Sequence, residues 1–226
     1  MSCIKMYAPS TLTSRHLILD LDSTLLFTTE QAEIYGAIYR YDLIDRLFRF
    51  TLTDSNANVP IGTGYTQHMW LSLRPGVRAF LRFARRYFRT ISVWSAGEDR
   101  YVRTICGWLF ADIPLARIYT RDKTNINNAT GWITKPLDMF WRDFTDANPT
   151  NTLVIDDRSD TFSMNPENGI LVPPYGDAKG RGSRYFETLI NTPDNVFQKL
   201  QLWLMQDDIL NSVDIQKEAK PNLFVP

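Results

Sequence analysis

His16-Leu17-Ile18-Leu19-Asp20-Leu21-Asp22-Ser23-Thr24-Leu25-Leu26 reads as a buried strand that runs straight into two carboxylates one residue apart. The apolar run Leu17 to Leu19, with Leu21, suits a strand covered on both faces, as in a parallel sheet. Asp20 and Asp22 then fall at its carboxyl end, where open α/β sheets place their ligands. Alternate residues of a strand point the same way. Two bare carboxylates so close repel, and they need a cation, a shared proton or different environments to coexist. This stretch is the candidate active site.

Working outward, Arg46 to Thr53 reads as a strand with Phe48, Phe50 and Leu52 on one face. Asp54 to Gly64 is a turn-rich loop, and His68 to Leu73 returns as the partner strand of a hairpin flap, about residues 28–72. Pro75-Gly76 opens a helix whose Val77, Phe80, Leu81, Ala84 and Phe88 form one apolar stripe. Arg78, Arg82, Arg85, Arg86 and Arg89 occupy its other face, read as solvated, with a phosphate or nucleic-acid groove as the alternative. Ile91 to Ser95 is a second strand, followed by a helix with Val102, Ile105 and Leu109 inward. Leu115 to Thr120 is a third strand, and 121–131 a polar loop or short hairpin. A helix starts at Pro136, and Thr152 to Ile155 is a fourth strand ending in Asp156-Asp157. Ile170 to Val172 is a short fifth strand, stopped by Pro173-Pro174. A Gly-rich loop over 176–182 precedes a last helix near Asp194 to Asp208, and the polar tail beyond Ser212 is expected to fray or dock loosely.

Strands alternating with amphipathic helices predict a Rossmann-like parallel sheet with helices on both faces. The 226 residues suit one domain, core about 15–210. With Lys+Arg and Asp+Glu both at 25, the net charge is zero, so nothing global draws the chain to nucleic acid or an anionic membrane. No apolar run approaches the ~20 residues of a membrane span. The start lacks the apolar core of a secretory signal, and Cys3 and Cys106 have no metal-ligand spacing. The expectation is an intracellular protein with free thiols. His16 and His68 are read as structural or surface groups, and the tryptophans at 94, 108, 132, 141 and 203 as packing residues.

In such a sheet the strand ends bearing Asp20/Asp22, Ser95 and Asp156/Asp157, with the loop carrying Lys135, share one edge. Hard oxygen ligands from two strand ends suit Mg²⁺. A carboxylate can attack phosphorus, and a second carboxylate can carry the proton. A lysine and a hydroxyl can stabilise the phosphoryl oxygens.

The motifs resemble a known family. Asp20-Leu21-Asp22-Ser23-Thr24 is similar to the D-x-D-x-T signature of haloacid dehalogenase superfamily phosphatases. Leu73-Arg74-Pro75-Gly76-Val77, Trp94-Ser95-Ala96-Gly97, Lys135-Pro136-Leu137 and Val154-Ile155-Asp156-Asp157-Arg158-Ser159-Asp160 resemble elements of one branch. That branch holds the RNA polymerase II carboxy-terminal-domain phosphatases and the NLI-interacting-factor-like proteins. The resemblance implies the haloacid dehalogenase fold with a minimal cap, an aspartyl-phosphate intermediate on Asp20 and Asp22 as general acid/base. It implies Mg²⁺ held by the Asp20 carboxylate, the Asp22 backbone carbonyl and Asp157, with Asp156 binding directly or through water. Ser95 and Lys135 would hold phosphoryl oxygens, with Thr24, Ala96 and Arg121 on the substrate side. Phe27 to Glu30 does not reproduce the family's aromatic pocket for proline-containing peptides, and the flap is longer and rich in aromatics.

The resulting expectation is a Mg²⁺-dependent Ser/Thr phosphoprotein phosphatase acting on an exposed phosphopeptide, the polymerase tail among its candidates. Two alternatives stand beside it. One is a non-catalytic protein-binding relative of the same fold, which retention of Asp20, Asp22, Lys135 and Asp157 speaks against. The other is a phosphatase of nucleic-acid ends or small metabolites, though direct nucleic-acid binding has little support in the sequence.

Overall fold

The computed structural model describes residues 11–30, 46–54, 62–127, 129–176, 182–218, 220 and 224, with the side chains of 182–184 excepted. The lead-in to residue 10 with Cys3, flap residues 31–45, most of the loop before Gly64, the Gly-rich loop at 177–181 and the tail's last residues lie outside this description.

The first strand, β1 (His16–Leu19), is the middle of a five-stranded sheet. Its neighbours are β5 (Thr90–Trp94) and β9 (Thr152–Asp156), with β6 (Arg117–Tyr119) and β10 (Gly169–Leu171) at the two edges. Every pairing in it is parallel. The continuous apolar run of β1 follows from this position. Leu17 and Leu19 join one core, built from α1 (Val77–Tyr87), α2 (Asp99–Leu109) and α5 (Val196–Leu204). Ile18 joins Val154 and Trp94 in a second core under α3 (Leu137–Asp143). Helices therefore cover both faces, as alternation of elements predicts.

Leu19 stands opposite Val93 and Ile155, so the next residues along each strand emerge together at one edge. The Asp20 N–H donates to the Ile155 carbonyl at 3.0 Å and holds this register one residue past β1. Asp20, Ser95 and Asp156 are placed by that register alone.

The helix after Pro75 forms as the stripe predicts, with Val77, Phe80, Leu81 and Ala84 buried. Its start needs Gly76, whose φ of 78° lies in the left-handed region that other residues enter only with strain. The hairpin β3 (Leu47–Thr53) and β4 (Thr66–Leu73) is present. The flap is nevertheless three-stranded, because β2 (Leu26–Thr29) pairs antiparallel with β4 along Leu26↔Leu73 to Thr29↔Trp70. The chain turns back within six residues of β1, too few for periodicity to register a new strand. A short hairpin, β7 (Asn125–Asn127) with β8 (Trp132–Thr134), occupies the polar stretch after β6.

Four further expectations are corrected. A helix, α4 (Gly182–Asn191), follows the Gly-rich loop directly; glycines at its entry hid it. The last helix is two, α5 and α6 (Asp207–Asn211), broken at Met205-Gln206. The tail docks: Ile215 is fully buried, and its N–H donates to the Thr150 carbonyl at 2.8 Å. Trp132 is 56% exposed on the β7–β8 hairpin and packs in no core. His16 is a buried structural group, its Nδ1 2.8 Å from the Thr90 hydroxyl and its ring edge-on to Phe140. Cys106 is buried on α2, where desolvation pushes its thiol up to about 12. No helix among the described residues is long and apolar enough to cross a membrane.

Candidate active site

Lys135 organises the carboxyl edge of the sheet. It lies between β8 and α3, almost wholly buried, and its backbone N–H donates to the Thr161 carbonyl at 2.7 Å. Its ammonium donates to Asp20 Oδ1 at 2.7 Å and to Asp156 Oδ2 at 2.6 Å. Burial alone would lower the lysine, but the carboxylates of Asp156 and Asp20 outweigh it and raise the group, so it stays charged. Asp20 is raised well above the usual carboxylate range, chiefly by burial, with Lys135 opposing and Asp156 adding to the rise. One buried cation thus stands among several acids, an arrangement short of positive charge.

The acids are Asp20, Asp156 and Asp157, which can each turn an oxygen to within 4.8 Å of the others. Asp156 is committed to protein donors, Lys135 on one oxygen and the Arg158 N–H on the other at 2.9 Å. Asp157 is freer. It accepts from the Thr24 hydroxyl at 3.2 Å, while its own N–H donates to that hydroxyl at 3.1 Å. Burial first, then the neighbouring Asp156, pushes Asp157 up to about 6. A hard-oxygen set with surplus negative charge fits a small divalent cation such as Mg²⁺. Asp20 and Asp157 are suited to direct ligation, and the doubly bonded Asp156 to a supporting part.

Asp22 departs from this cluster. The chain turns at Ser23, a non-glycine residue at φ 60°, whose N–H donates to Leu26 O and whose carbonyl accepts from Tyr175 N–H. This turn carries the Asp22 side chain away from Asp20 toward α2 and β2. Tyr101 donates to Asp22 Oδ1 at 2.5 Å, Thr28 donates to the same oxygen at 3.3 Å, and the two hydroxyls lie 3.0 Å apart. Burial raises Asp22, with Tyr101 and Thr28 opposing. The two carboxylates therefore coexist by facing different partners, a lysine for one and two hydroxyls for the other.

Ser95 is buried one residue past β5, where it receives the Gly97 N–H at 3.0 Å. Ala96 sits between them, half-buried. The Arg121 N–H donates to the Gly97 carbonyl at 3.0 Å, which brings the two loops together. Its guanidinium, however, is half-exposed and 3.4 Å from Glu98, clear of the acidic cluster. The structure thus gathers Asp20, Thr24, Lys135, Asp156 and Asp157, sets Asp22 beside them on its own partners, and leaves Ser95, Ala96 and Arg121 along the adjoining loops.

Two residues gain a place that sequence reading did not give them. Tyr101 lies beside the inward stripe of α2, and only the fold shows that its hydroxyl reaches Asp22. Arg74, quoted only as part of a motif, is buried; it donates to Asp194 at 2.8 Å and to the Thr24 carbonyl at 3.2 Å. It ties the loop after β1 to the start of α5.

A five-stranded parallel sheet that gathers carboxylates and a lysine on one edge, with an antiparallel flap after its first strand, defines a haloacid-dehalogenase-type α/β fold. The chain belongs to the NLI-interacting-factor-like phosphatase family, whose model matches residues 15–201. Among solved structures it is similar to fission yeast Fcp1, an RNA polymerase II CTD phosphatase, bound to beryllium fluoride: TM-score 0.58, 20% identity, over 84% of this chain and 49% of that one. A second Fcp1 structure matches with TM-score 0.58 and 20% identity over 92% of this chain and 59% of that one. These likenesses show the shared fold, and the chain spans about half to three-fifths of the length of the two. No curated protein sequence matches it significantly.

Proposed function

We propose that the protein is a Mg²⁺-dependent phosphatase of phosphoserine or phosphothreonine in exposed peptide segments, working through a phosphorylated Asp20. The observation that carries this reading is the division of labour between the two aspartates. Asp20 is held by Lys135 at 2.7 Å, and Asp22 by Tyr101 at 2.5 Å.

An oxygen of the Asp20 carboxylate attacks phosphorus, and the bond to the serine or threonine oxygen breaks. Asp22, raised by burial, delivers its proton to that leaving oxygen. In the second half, Asp22 takes a proton from water, which attacks the acyl-phosphate, frees inorganic phosphate and restores Asp20. Lys135 opposes the burial that raises Asp20, so favours the ionised nucleophile, and faces the negative charge that accumulates on the phosphoryl oxygens. Ser95 and the Ala96 N–H orient the same oxygens, while Arg121, paired with Glu98 on the adjoining loop, would reach the substrate outside the phosphoryl group. Asp20, the Asp22 carbonyl and Asp157, with Asp156 in support, would hold the metal ion, which when bound would supply further charge neutralisation to the phosphoryl group.

Asp20→Asn tests the reading against a small aryl phosphate with Mg²⁺. Activity is expected to fall to background in that variant, and persistent Mg²⁺-dependent turnover would sink the mechanism. Substrate class is settled separately by comparing polymerase-tail phosphopeptides with unrelated phosphopeptides, nucleic-acid ends and sugar phosphates.

A further inference from the structure

The arginine face of α1 is exposed to solvent, as its solvated reading expects, and it also lines a groove. With the end of α2 and the turn after it, this face encloses a groove of about 430 Å³. Arg78, Arg82, Arg85 and Arg86 form one wall, spaced i, i+4, i+7 and i+8. At ~1.5 Å of rise per residue the stripe is about 12 Å long. Leu81, Leu109 and Ile113 give the groove an apolar floor.

The charge here is unbalanced. Several exposed arginines elsewhere find carboxylates: Arg89 with Asp146, Arg103 with Asp99, Arg117 with Asp143 and Arg142 with Asp138. Among the described residues none of the four groove arginines has an acidic partner. Two are instead oriented by uncharged groups. Arg78 lies over the Trp108 ring at 4.9 Å, and Arg85 donates to the Asp112 carbonyl at 2.6 Å. A guanidinium held over an indole face still has N–H groups to offer an anion. Against the four positive charges the lining holds one acid, Asp112, for a net of three.

Most of the groove lies toward the end of the sheet opposite Asp20. Arg86 and Ile113 lie just before β5 and β6, and Thr11 just before β1, all at the amino end of the sheet. The carboxylates lie at the opposite end. Whatever binds here makes a second contact, separate from the reacting phosphate.

We propose that this groove docks an extended, phosphorylated segment of the substrate protein; the idea rests on the phosphatase reading above. An extended peptide advances ~3.3 Å per residue, so about four residues span the stripe. Phosphates of about −1.5 to −2 each match a net charge of three when two are bound, and arginine forks fit phosphate oxygens. The apolar floor suits peptide side chains. A nucleic-acid strand would use open aromatic faces for stacking, and Arg78 already covers Trp108.

The test is the double variant Arg82→Ala/Arg86→Ala in the full chain, checked by circular dichroism for an unchanged fold. Fluorescence anisotropy with a labelled, doubly phosphorylated peptide, run in EDTA so that the proposed Mg²⁺-dependent reaction stops, reads docking without turnover. The Kd is expected to rise at least tenfold in the variant, and KM for that peptide to rise likewise, while kcat/KM on an aryl phosphate stays within twofold. An unchanged Kd overturns the proposal. So does wild-type binding of an unphosphorylated glutamate-rich peptide, or of an oligonucleotide of equal length, as tight as that of the phosphopeptide. Loss of all turnover in the wild type, with anisotropy still arginine-dependent, would instead overturn the phosphatase reading and leave the groove standing as a phosphopeptide site.

Discussion

Tyr101 shows how one hydroxyl can set the chemistry of a carboxylate. Its O–H bond occupies Asp22 Oδ1 and favours the ionised carboxylate; in the mechanism proposed above, that would leave the other oxygen for the leaving group and aid the second half-reaction. Tyr101→Phe removes a hydrogen bond to a charged group, an interaction of about 1.5–3 kcal/mol. The expected result is a ten- to hundredfold fall in kcat. The fall should be larger for a phosphoserine peptide, whose leaving oxygen needs the proton, than for a nitrophenyl phosphate, whose leaving group does not. An equal loss on both substrates would argue against a role in proton transfer. Asp157 gives a pH prediction. Its carboxyl is held near 6, above the ordinary value of 3.8, so folding favours the protonated form. Its contribution to metal-free stability is full below about pH 4 and fades as pH rises through 6. Metal ligation needs the ionised form. The rise in Tm on adding Mg²⁺ should therefore be largest above pH 7 and shrink as pH falls through 6, and Asp157→Asn should flatten that dependence.

At the scale of elements, the sheet and the loops at its carboxyl edge are joined by long-range polar ties. Arg74 binds Asp194 and the Thr24 carbonyl from inside the core, and its guanidinium lies within 6 Å of the Tyr175 and Phe197 rings. Removing one partner of a buried pair leaves the other charge uncompensated, at roughly 3–5 kcal/mol. Arg74→Met should accordingly lower the urea midpoint by that equivalent. Because the same side chain anchors the loop between Asp22 and Leu25, activity under native conditions should fall as well. Asp194→Asn, which keeps a hydrogen-bond acceptor, should lose stability while retaining more activity. Sequence periodicity displayed α1, α2 and the strands of the sheet because each has a face of its own to bury. It hid β2, which is four residues long and defined only by its pairing with β4, and α4, whose entry is rich in glycine.

Across the whole molecule, the described part of the tail is part of the fold rather than an appendage. Ile215 fills a place in the main core beside Leu204 and Ile209, and Gln216 donates to Asn168 at 3.1 Å. Ile215→Ala should lose roughly 2–5 kcal/mol in a denaturant titration, a value typical of a fully buried isoleucine. Lys217→Ala, 82% exposed, should change little. A tail that only frayed would make the two variants alike.

The sequence by itself determined the class of sheet, a strand covered on both its faces and the residue types that gather at its edge. These are local properties: a doubly covered strand must be apolar throughout, an amphipathic helix must repeat near 3.6 residues, and the motifs are short and contiguous. Tertiary structure decided which of those residues meet. Thr24 and Asp157 are 133 positions apart, and Lys135 lies 115 positions from Asp20. No periodicity relates such pairs; only the register of β1 between β5 and β9 does. The same is true of the two aspartates first read as a repelling pair. Their separation into a lysine-bound and a tyrosine-bound carboxylate depends on the turn at Ser23 and on a helix nearly eighty residues further along the chain.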